Sequence, residues 1–515
     1  MAIVDRTAVV IGGGVTGLGC AALLARDGFR VTLLEKNAEF GGRCGSWEHD
    51  GFRFDTGPSW YPMPEVFDHF FRLLDTSAAE QLELVQLDPG YRVYDDGGES
   101  PLDLAASVEE NIDLFEGVER GAAARLARYL DEGGEAYRLA RTRLLYSTVS
   151  PPGESASARL ARDAIEVGRR LRPRLLAPLS RLIRRAVHDR GLRRVLSAPG
   201  SRVGSTPDRT PGIYSMLSHL DFVEGVLYPI GGLARVVASI EALAVSEGAE
   251  LRTGMTVRRI LVEKGAATGV EAVDPDGVLS FVDADVVIST VDLHHGETVL
   301  IADEANRTYP QAYWNDRIAG PATVLLFLGV SGELPELEHH SLLFGADALT
   351  ASLYVGKPSG VDPQLAPDGA ETLVVELQVA ADPALGHGGL DGGGSAAIEA
   401  LADEAIARIS TAAGIPDLAE RIVLRRTIGP ADFVEGFNSW KGGAFGAALG
   451  LRQGAVMQSV RTSAKVRSLY LASSSGAPGI GLPGCLIAAE LVLKRLRGDV
   501  SFGPLQEPLE KGRLR

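Results

Sequence analysis

Residues 7–43 read TAVVIGGGVTGLGCAALLARDGFRVTLLEKNAEFGGR. Thr7–Ile11 is a short β-branched run, the pattern of a buried strand. Gly12, Gly14 and Gly17 follow as G-x-G-x-x-G, residues 15–26 have helical composition, and residues 31–35 form a second apolar run ending in the acid Glu35. Each glycine has a separate reason. Gly12 permits a tight turn, Gly14 lets backbone N–H groups approach a pyrophosphate, and Gly17 lets helix and strand pack closely. The helix N-terminus offers unpaired N–H groups and a positive dipole end to phosphate. Glu35 stands where a carboxylate accepts hydrogen bonds from a ribose 2′-hydroxyl. Strand, turn, helix, strand and acid fall in register, which predicts a Rossmann-like dinucleotide site.

The next residues favour FAD over NAD. Gly41-Gly42-Arg43 follows the acid closely, and Phe54-Asp55-Thr56-Gly57-Pro58 follows that. A second glycine turn suits a cofactor with a second half to hold, and an arginine there neutralises pyrophosphate charge.

A chain of 515 residues is enough for two or three compact units. The three cysteines, Cys20, Cys44 and Cys485, are odd in number and form no C-x-x-C, which fits a reducing cytosol rather than a disulfide framework or a zinc site. The N-terminus lacks a basic n-region, so no signal peptide is expected. Two uncharged runs, residues 7–25 and 468–489, are broken by glycines, the second also by prolines, and read as strand–loop–helix rather than membrane spans. The histidines lack partners at metal-ligand spacing, so no metal is expected.

The net charge of −16 argues against nucleic acid as a partner. One stretch reverses it: Arg159–Arg194 holds twelve arginines and three acids, a net of +9, interleaved with leucine and isoleucine. Such a segment can dock on an anionic membrane, at roughly 1 kcal/mol per basic residue near the lipid. It can equally be a solvated helix face.

Further along, residues 85–94 read as one strand, residues 107–195 as an inserted helical unit, and Tyr228-Pro229-Ile230-Gly231-Gly232 as the return to the first architecture. A helix over 233–247, strands at 250–252 and 257–260 and a buried strand over 284–290 extend the nucleotide-binding sheet and put the backbone near Val257 beside the adenine. Residues 291–446 read as a second, α+β unit, in which 384–395 is a flexible glycine-rich loop. Near the end, a strand over 468–472 and a loop over 476–484 lead into a helix over 485–496. GIGLPG at 479–484 repeats G-x-G-x-x-G, but no strand and acid follow, so it reads as a helix N-terminus aimed at the flavin N1/O2 edge.

The sequence resembles the CrtI-type carotenoid (phytoene) desaturases within the flavin amine-oxidase-like superfamily. The resemblance rests on VVIGGGVTGL, GGRCGSWEHDGFRFDTGPSWYPMPEVFDHFF, LDPGYRV, VLYPIGGLARV, SLYVGKPSGVDP and PGIGLPGCLIAAELVLKRL. It implies an α/β protein: a Rossmann-like FAD-binding domain built from both chain ends, an α+β substrate domain, and an inserted helical membrane-associating region. The expected boundaries are residues 1–75, 228–290 and 461–498 for the FAD domain, 76–106 and 291–460 for the substrate domain, 107–227 for the helical region and 499–515 for a tail.

It also implies FAD as sole redox cofactor, held by Gly12, Gly14, Gly17, Glu35 with the adjacent Lys36, Gly42, Arg43 and Val257, with Gly479, Gly481, Leu482 and Gly484 facing the isoalloxazine. The substrate is expected to be a long-chain carotenoid or isoprenoid hydrocarbon such as phytoene, converted towards lycopene in an apolar tunnel. Electrons pass to oxygen or a membrane quinone. The protein is expected in the cytoplasm, peripherally attached to the inner face of the cell membrane. Residues 472–476 (ASSSG) and Pro62 depart from the family pattern, which bears on substrate range. The sequence names no proton acceptor. Other readings are a related flavoenzyme acting on another polyene, a carotene isomerase, an amine oxidase, and a non-catalytic prenyl-lipid carrier.

Overall fold

The computed structural model describes residues 6–57, 59–95, 100–148, 177–201, 204–345, 351–446, 461–473 and 481–512. Its first sheet gathers strands from three distant parts of the chain. β1 (Thr7–Ile11) lies between β2 (Arg30–Leu34) and β13 (Val286–Ser289), with β9 (Glu250–Arg252) beyond β2 and β20 (Leu469–Leu471) beyond β13; all these pairs are parallel. β19 (Arg461–Thr462) adds an antiparallel edge. Parallel strands buried on both faces need apolar side chains throughout, and β1 and β13 supply them.

Helix α1 (Val15–Asp27) returns the chain from β1 to β2 and is buried along its whole length. It lies against the helices Gly232–Ser246 and Leu482–Leu496. The last of these begins three residues earlier than its composition predicts, because Pro483 fits a first helical turn. The antiparallel strands β10 (Thr256–Glu263), β11 (Ala266–Val273) and β12 (Leu279–Asp283) form a separate meander. A hairpin of β3 (Ser46–His49) and β4 (Phe52–Asp55) leads from the second glycine turn to the second large sheet.

That sheet has seven strands, in the order β18 (Ile422–Ile428), β14 (Ala322–Ser331), β17 (Ala370–Val379), β16 (Ala351–Gly356), β15 (His340–Phe344), β6 (Tyr91–Asp95) and β7 (Leu102–Leu104). One face carries Leu326, Leu328, Leu373 and Val375, packed on the helix Ala396–Ala413. The other carries Leu325, Phe327 and Val374, packed on Phe52 and Phe54 of β4.

The single strand expected over 85–94 is two. β5 (Leu84–Gln86) pairs with β8 (Leu227–Pro229), and β6 enters the large sheet after the turn at Pro89-Gly90. The glycine-rich stretch expected to be flexible is pinned: a Cβ at Gly388 would stand 2.0 Å from the Thr427 carbonyl oxygen, and the Gly388 amide donates to Asp432 at 2.7 Å. Its glycines permit close backbone approach to β18.

The helical region packs on the β6–β7 end of the large sheet. Within the arginine-rich stretch, residues 159–176 lie outside the described residues. In the helix Leu179–Ala186, Leu179, Leu182 and Ile183 are buried in the protein core while Arg181, Arg184 and Arg185 face solvent. The apolar face of this turn is therefore spent inside the molecule, and the described helix presents only its arginines. Among the described residues no helix is long and apolar enough to cross a membrane.

Beyond the helix Leu482–Leu496 the chain folds back as a strap. The Leu509 amide donates to the Leu73 carbonyl at 3.0 Å, at the end of α2 (Pro64–Leu73), and the Leu505 amide donates to Glu490 at 2.6 Å. The buried Lys494 ammonium donates to the carbonyls of Tyr146, Ser501 and Gly503. His69 of α2 bonds Glu490 through one ring nitrogen (2.8 Å) and Glu507 of the strap through the other.

Candidate flavin site

The site grows from the end of β1. Gly12 has φ 98°, and its amide donates to the Leu34 carbonyl at 2.9 Å. A Cβ at Gly17 would lie 1.9 Å from the Gly12 carbonyl oxygen, so α1 can leave the strand at this angle only with glycine there. Gly14 caps α1 without a side chain, and the nearest atom to a Cβ built on it is the Gly41 oxygen at 3.9 Å. Space is thus kept free where the first-turn N–H groups lack helical partners.

Glu35 is 5% exposed, just past β2. One carboxylate oxygen accepts the Gly13 amide at 2.6 Å and the other the Asn37 amide at 2.8 Å. Gly13 is itself indispensable, since a Cβ would stand 2.6 Å from Phe40 and 2.9 Å from the Glu35 side chain. The Met255 amide donates to the Glu35 carbonyl at 2.7 Å, which draws the start of β10 alongside and puts Val257 in one cluster with Leu34. Lys36 turns away: its ammonium donates to the Glu435 carbonyl. Burial pulls its pKa below the usual lysine range against the pull of Glu35 and Glu435.

The second glycine turn abuts the first. Gly41 bridges Gly14, its amide donates to the Gly13 carbonyl at 2.9 Å, and a Cβ at Gly42 would lie 3.2 Å from the Gly14 Cα. Half-buried Arg43 donates to the Ala444 carbonyl at 2.7 Å. A Cβ at Gly57 would stand 1.9 Å from the Arg43 carbonyl oxygen, so the Asp55-Thr56-Gly57 turn is pressed against this arginine. Asp55 accepts the amides of Leu233 (2.6 Å) and Ala234 (3.2 Å) and caps the helix Gly232–Ser246. Burial pushes its pKa up to about 6 despite those donors.

The third wall comes from the other end of the chain. Gly481 precedes the helix Leu482–Leu496, with Leu482 and Gly484 buried in its first turn; Gly479 lies outside the described residues. A Cβ at Gly19 would stand 3.1 Å from Ala489 Cβ, so this helix and α1 touch backbone to backbone. Their first turns meet at Thr16 and Cys485. Burial raises the Cys485 thiol pKa, opposed by the adjacent Thr16 hydroxyl and the Arg43 charge.

Two helix N-termini, two abutting glycine turns, an arginine and a buried acid thus converge. The donor set fits a flavin dinucleotide: amide donors for phosphate, an acid for ribose, and two positive dipole ends for an anionic flavin edge. The open front of Gly14 is what such a ligand would fill. Sequence reasoning missed Gly13 and Asn37, and pointed to Asp55 and Gly57 without giving either a role. The uninterrupted GGG and the pairing of DTG with a later Gly-Gly were the available signals. Among the described residues no cluster of His, Cys, Asp and Glu could hold a metal ion.

This architecture is that of an FAD-dependent oxidoreductase. The flavin-containing amine oxidoreductase family model matches residues 15–375, and the chain belongs to that family, on the branch with the carotenoid desaturases. It is 32% identical to a carotenoid 3,4-desaturase of Haloarcula japonica, over 96% of this chain and 98% of that one. It is 31% identical to a zeta-carotene-forming phytoene desaturase of Myxococcus xanthus, over 95% and 94%. Among solved structures it is similar in fold to an oxidoreductase of Methanosarcina mazei (TM-score 0.62, 19% identity, 95% and 100% covered) and to a putrescine oxidase bound to putrescine (TM-score 0.60, 17% identity, 96% and 99% covered).

Proposed function

We propose that the protein desaturates a long carotenoid hydrocarbon, phytoene or a close relative, towards lycopene. The observation that carries this reading is end-to-end similarity to two carotenoid desaturases above 30% identity, spanning both halves of the flavin site. Gly12, Gly14, Gly17, Glu35, Gly42 and Arg43 bind the dinucleotide in this reading, Val257 lies by the adenine, and Gly481, Leu482 and Gly484 serve the isoalloxazine. Lys36 is left to brace the site through Glu435. Residues 1–75, 228–290 and 461–498 form the FAD domain, and 76–106 with 291–460 the substrate domain.

Bound FAD supplies the two-electron acceptor for hydride leaving an allylic carbon. The chain excludes water, orients the polyene by shape alone, because a hydrocarbon offers no charge to grip, and removes a proton from the neighbouring carbon. The exposed arginines of the helical region fit an anionic lipid surface at the inner face of the cell membrane, where such a substrate dissolves. Oxygen or a quinone then takes the electrons. Anaerobic addition of phytoene to the purified flavoprotein should bleach the oxidised flavin band, and expression in a phytoene-accumulating bacterium should give coloured carotenoid. Unbleached flavin and unchanged colourless phytoene would reject the reading.

A further inference from the structure

In the large sheet an acid stands among largely apolar neighbours. Glu376 lies on β17, on the face shared with Val374, opposite Leu325 of β14 on one side and Tyr354 of β16 on the other. Leu325 and Val374 belong to the cluster of Phe52, Phe54 and Phe327; Tyr354 belongs to a different cluster, with Tyr91, Leu342 and Trp60. Glu376 therefore stands on the seam between two apolar clusters. It is half-buried, flanked by side chains of both clusters. Among the described residues nothing hydrogen-bonds or ion-pairs with its carboxyl.

β17 touches β4, the strand that leads into the turn beside Arg43. Phe54 of β4 belongs to one cluster, Trp60 packs against the other, and between them in sequence lies the Asp55-Thr56-Gly57 turn pressed against Arg43. The charged and titratable groups on the elements around the seam are otherwise engaged. Arg53 of β4 pairs with Glu48, and Asp55 caps a helix. Arg426 of β18 covers the Trp47 ring at 4.5 Å, and the Tyr354 hydroxyl is bonded to His340 at 2.7 Å. None of them shifts Glu376; burial alone pushes its pKa up to about 7. An acid so placed is half ionised near neutrality and basic enough to take a proton.

We propose that Glu376 is the proton acceptor of the desaturation, an inference that rests on the reading of the protein as a desaturase. One allylic C–H breaks with both electrons leaving as hydride to the oxidised flavin. The C–H of the adjacent carbon breaks with its proton going to the Glu376 carboxylate, and its electron pair becomes the second bond of the new C=C. The carboxylic acid then returns its proton to water before the next cycle. An apolar seam suits this role, because it shelters a developing allylic cation from water while leaving one base in reach.

The test compares wild type, Glu376→Gln and Glu376→Asp as FAD-loaded holoenzyme. Phytoene should bleach wild-type flavin at a rate that rises with pH through about 7. Glu376→Gln should be slower by about a hundredfold or more, the usual range for a lost general base, and should lose the pH dependence at unchanged FAD content, while Glu376→Asp should recover part of the rate. A Glu376→Gln rate within threefold of wild type with the same pH profile would overturn the role. Thermal stability supplies a readout that needs no substrate. Glu376→Gln should be increasingly more stable than wild type as pH rises from about 4.5, the unperturbed value, to about 7, then by a constant margin. A constant difference across that range would overturn the siting of the acid. Wild-type flavin that phytoene fails to bleach would reject the desaturase reading itself and the acceptor role with it, whatever the stability profile shows.

Discussion

The amide of Gly13 donates to the carboxylate of Glu35 at 2.6 Å, joining the glycine turn after β1 to the end of β2. The other oxygen holds the Asn37 amide, so one side chain fixes both edges of the dinucleotide cradle. Glu35→Ala releases two backbone donors and, on the proposed reading, removes the ribose acceptor. A charge-assisted hydrogen bond is worth about 1.5–3 kcal/mol, so FAD affinity should fall about ten- to a hundredfold. Fluorescence titration of apoprotein with FAD measures it, and an unchanged affinity would refute the assignment.

Gly17→Ala should yield protein without flavin, because the new Cβ would lie 1.9 Å from the Gly12 oxygen and neither backbone can retreat. Gly117→Ala is the matched control. No atom lies within 4 Å of its Cβ position, near the end of the helix Val108–Val118, so it should be neutral or stabilising by up to about 1 kcal/mol. Flavin-to-protein absorbance ratio and thermal unfolding separate the two.

The strap near the C-terminus should loosen in alkali. Burial works against the charge on His69, but hydrogen bonds and attraction from Glu490 and Glu507 prevail and raise its pKa above the ordinary value. A raised histidine contributes fully below the unfolded value of about 6.5, and that contribution disappears as pH climbs through the folded value. The melting temperature of wild type should therefore drop by about 1–3 °C over that interval relative to His69→Gln. Parallel curves would show that folding leaves the proton affinity of this histidine unchanged.

None of the three thiols should react in the native protein. Cys20 and Cys44 are buried, and burial is the chief cause that pushes the pKa values of Cys20, Cys44 and Cys485 upward. Little thiolate then exists to attack a disulfide reagent. Ellman's reagent should count no accessible thiol in the folded flavoprotein and three after unfolding.

The strand and turn at the start of the candidate site were legible because local signals coincide: β1 begins at Thr7 and ends at Ile11, as its β-branched run implies, Gly12 has a positive φ, and Gly17 packs against the Gly12 carbonyl. Boundaries slipped where one residue type serves two structures. Pro483 reads as loop in sequence but fits the first turn of a helix, and Pro89-Gly90 splits an apolar run into strands of different sheets. The leucines among the arginines of 179–187 look like a lipid-facing stripe, yet they are core, because pattern shows that a face is apolar and not what covers it. Glu376 was invisible for a related reason. A lone acid in an apolar strand ordinarily marks the solvent side, and only the helix on one face of the sheet and β4 on the other reveal that this one points inward.

The contact of α1 with the helix Leu482–Leu496 has a consequence for biosynthesis. The ribosome releases the glycine turn hundreds of residues before the helix that closes over it, so the nascent chain must carry an unfinished cradle and the naked flank of α1 throughout elongation. Cofactor capture is in that sense the last act of folding. Cells starved of flavin should accumulate chains whose two ends have not yet met, and these should be the first taken by proteases.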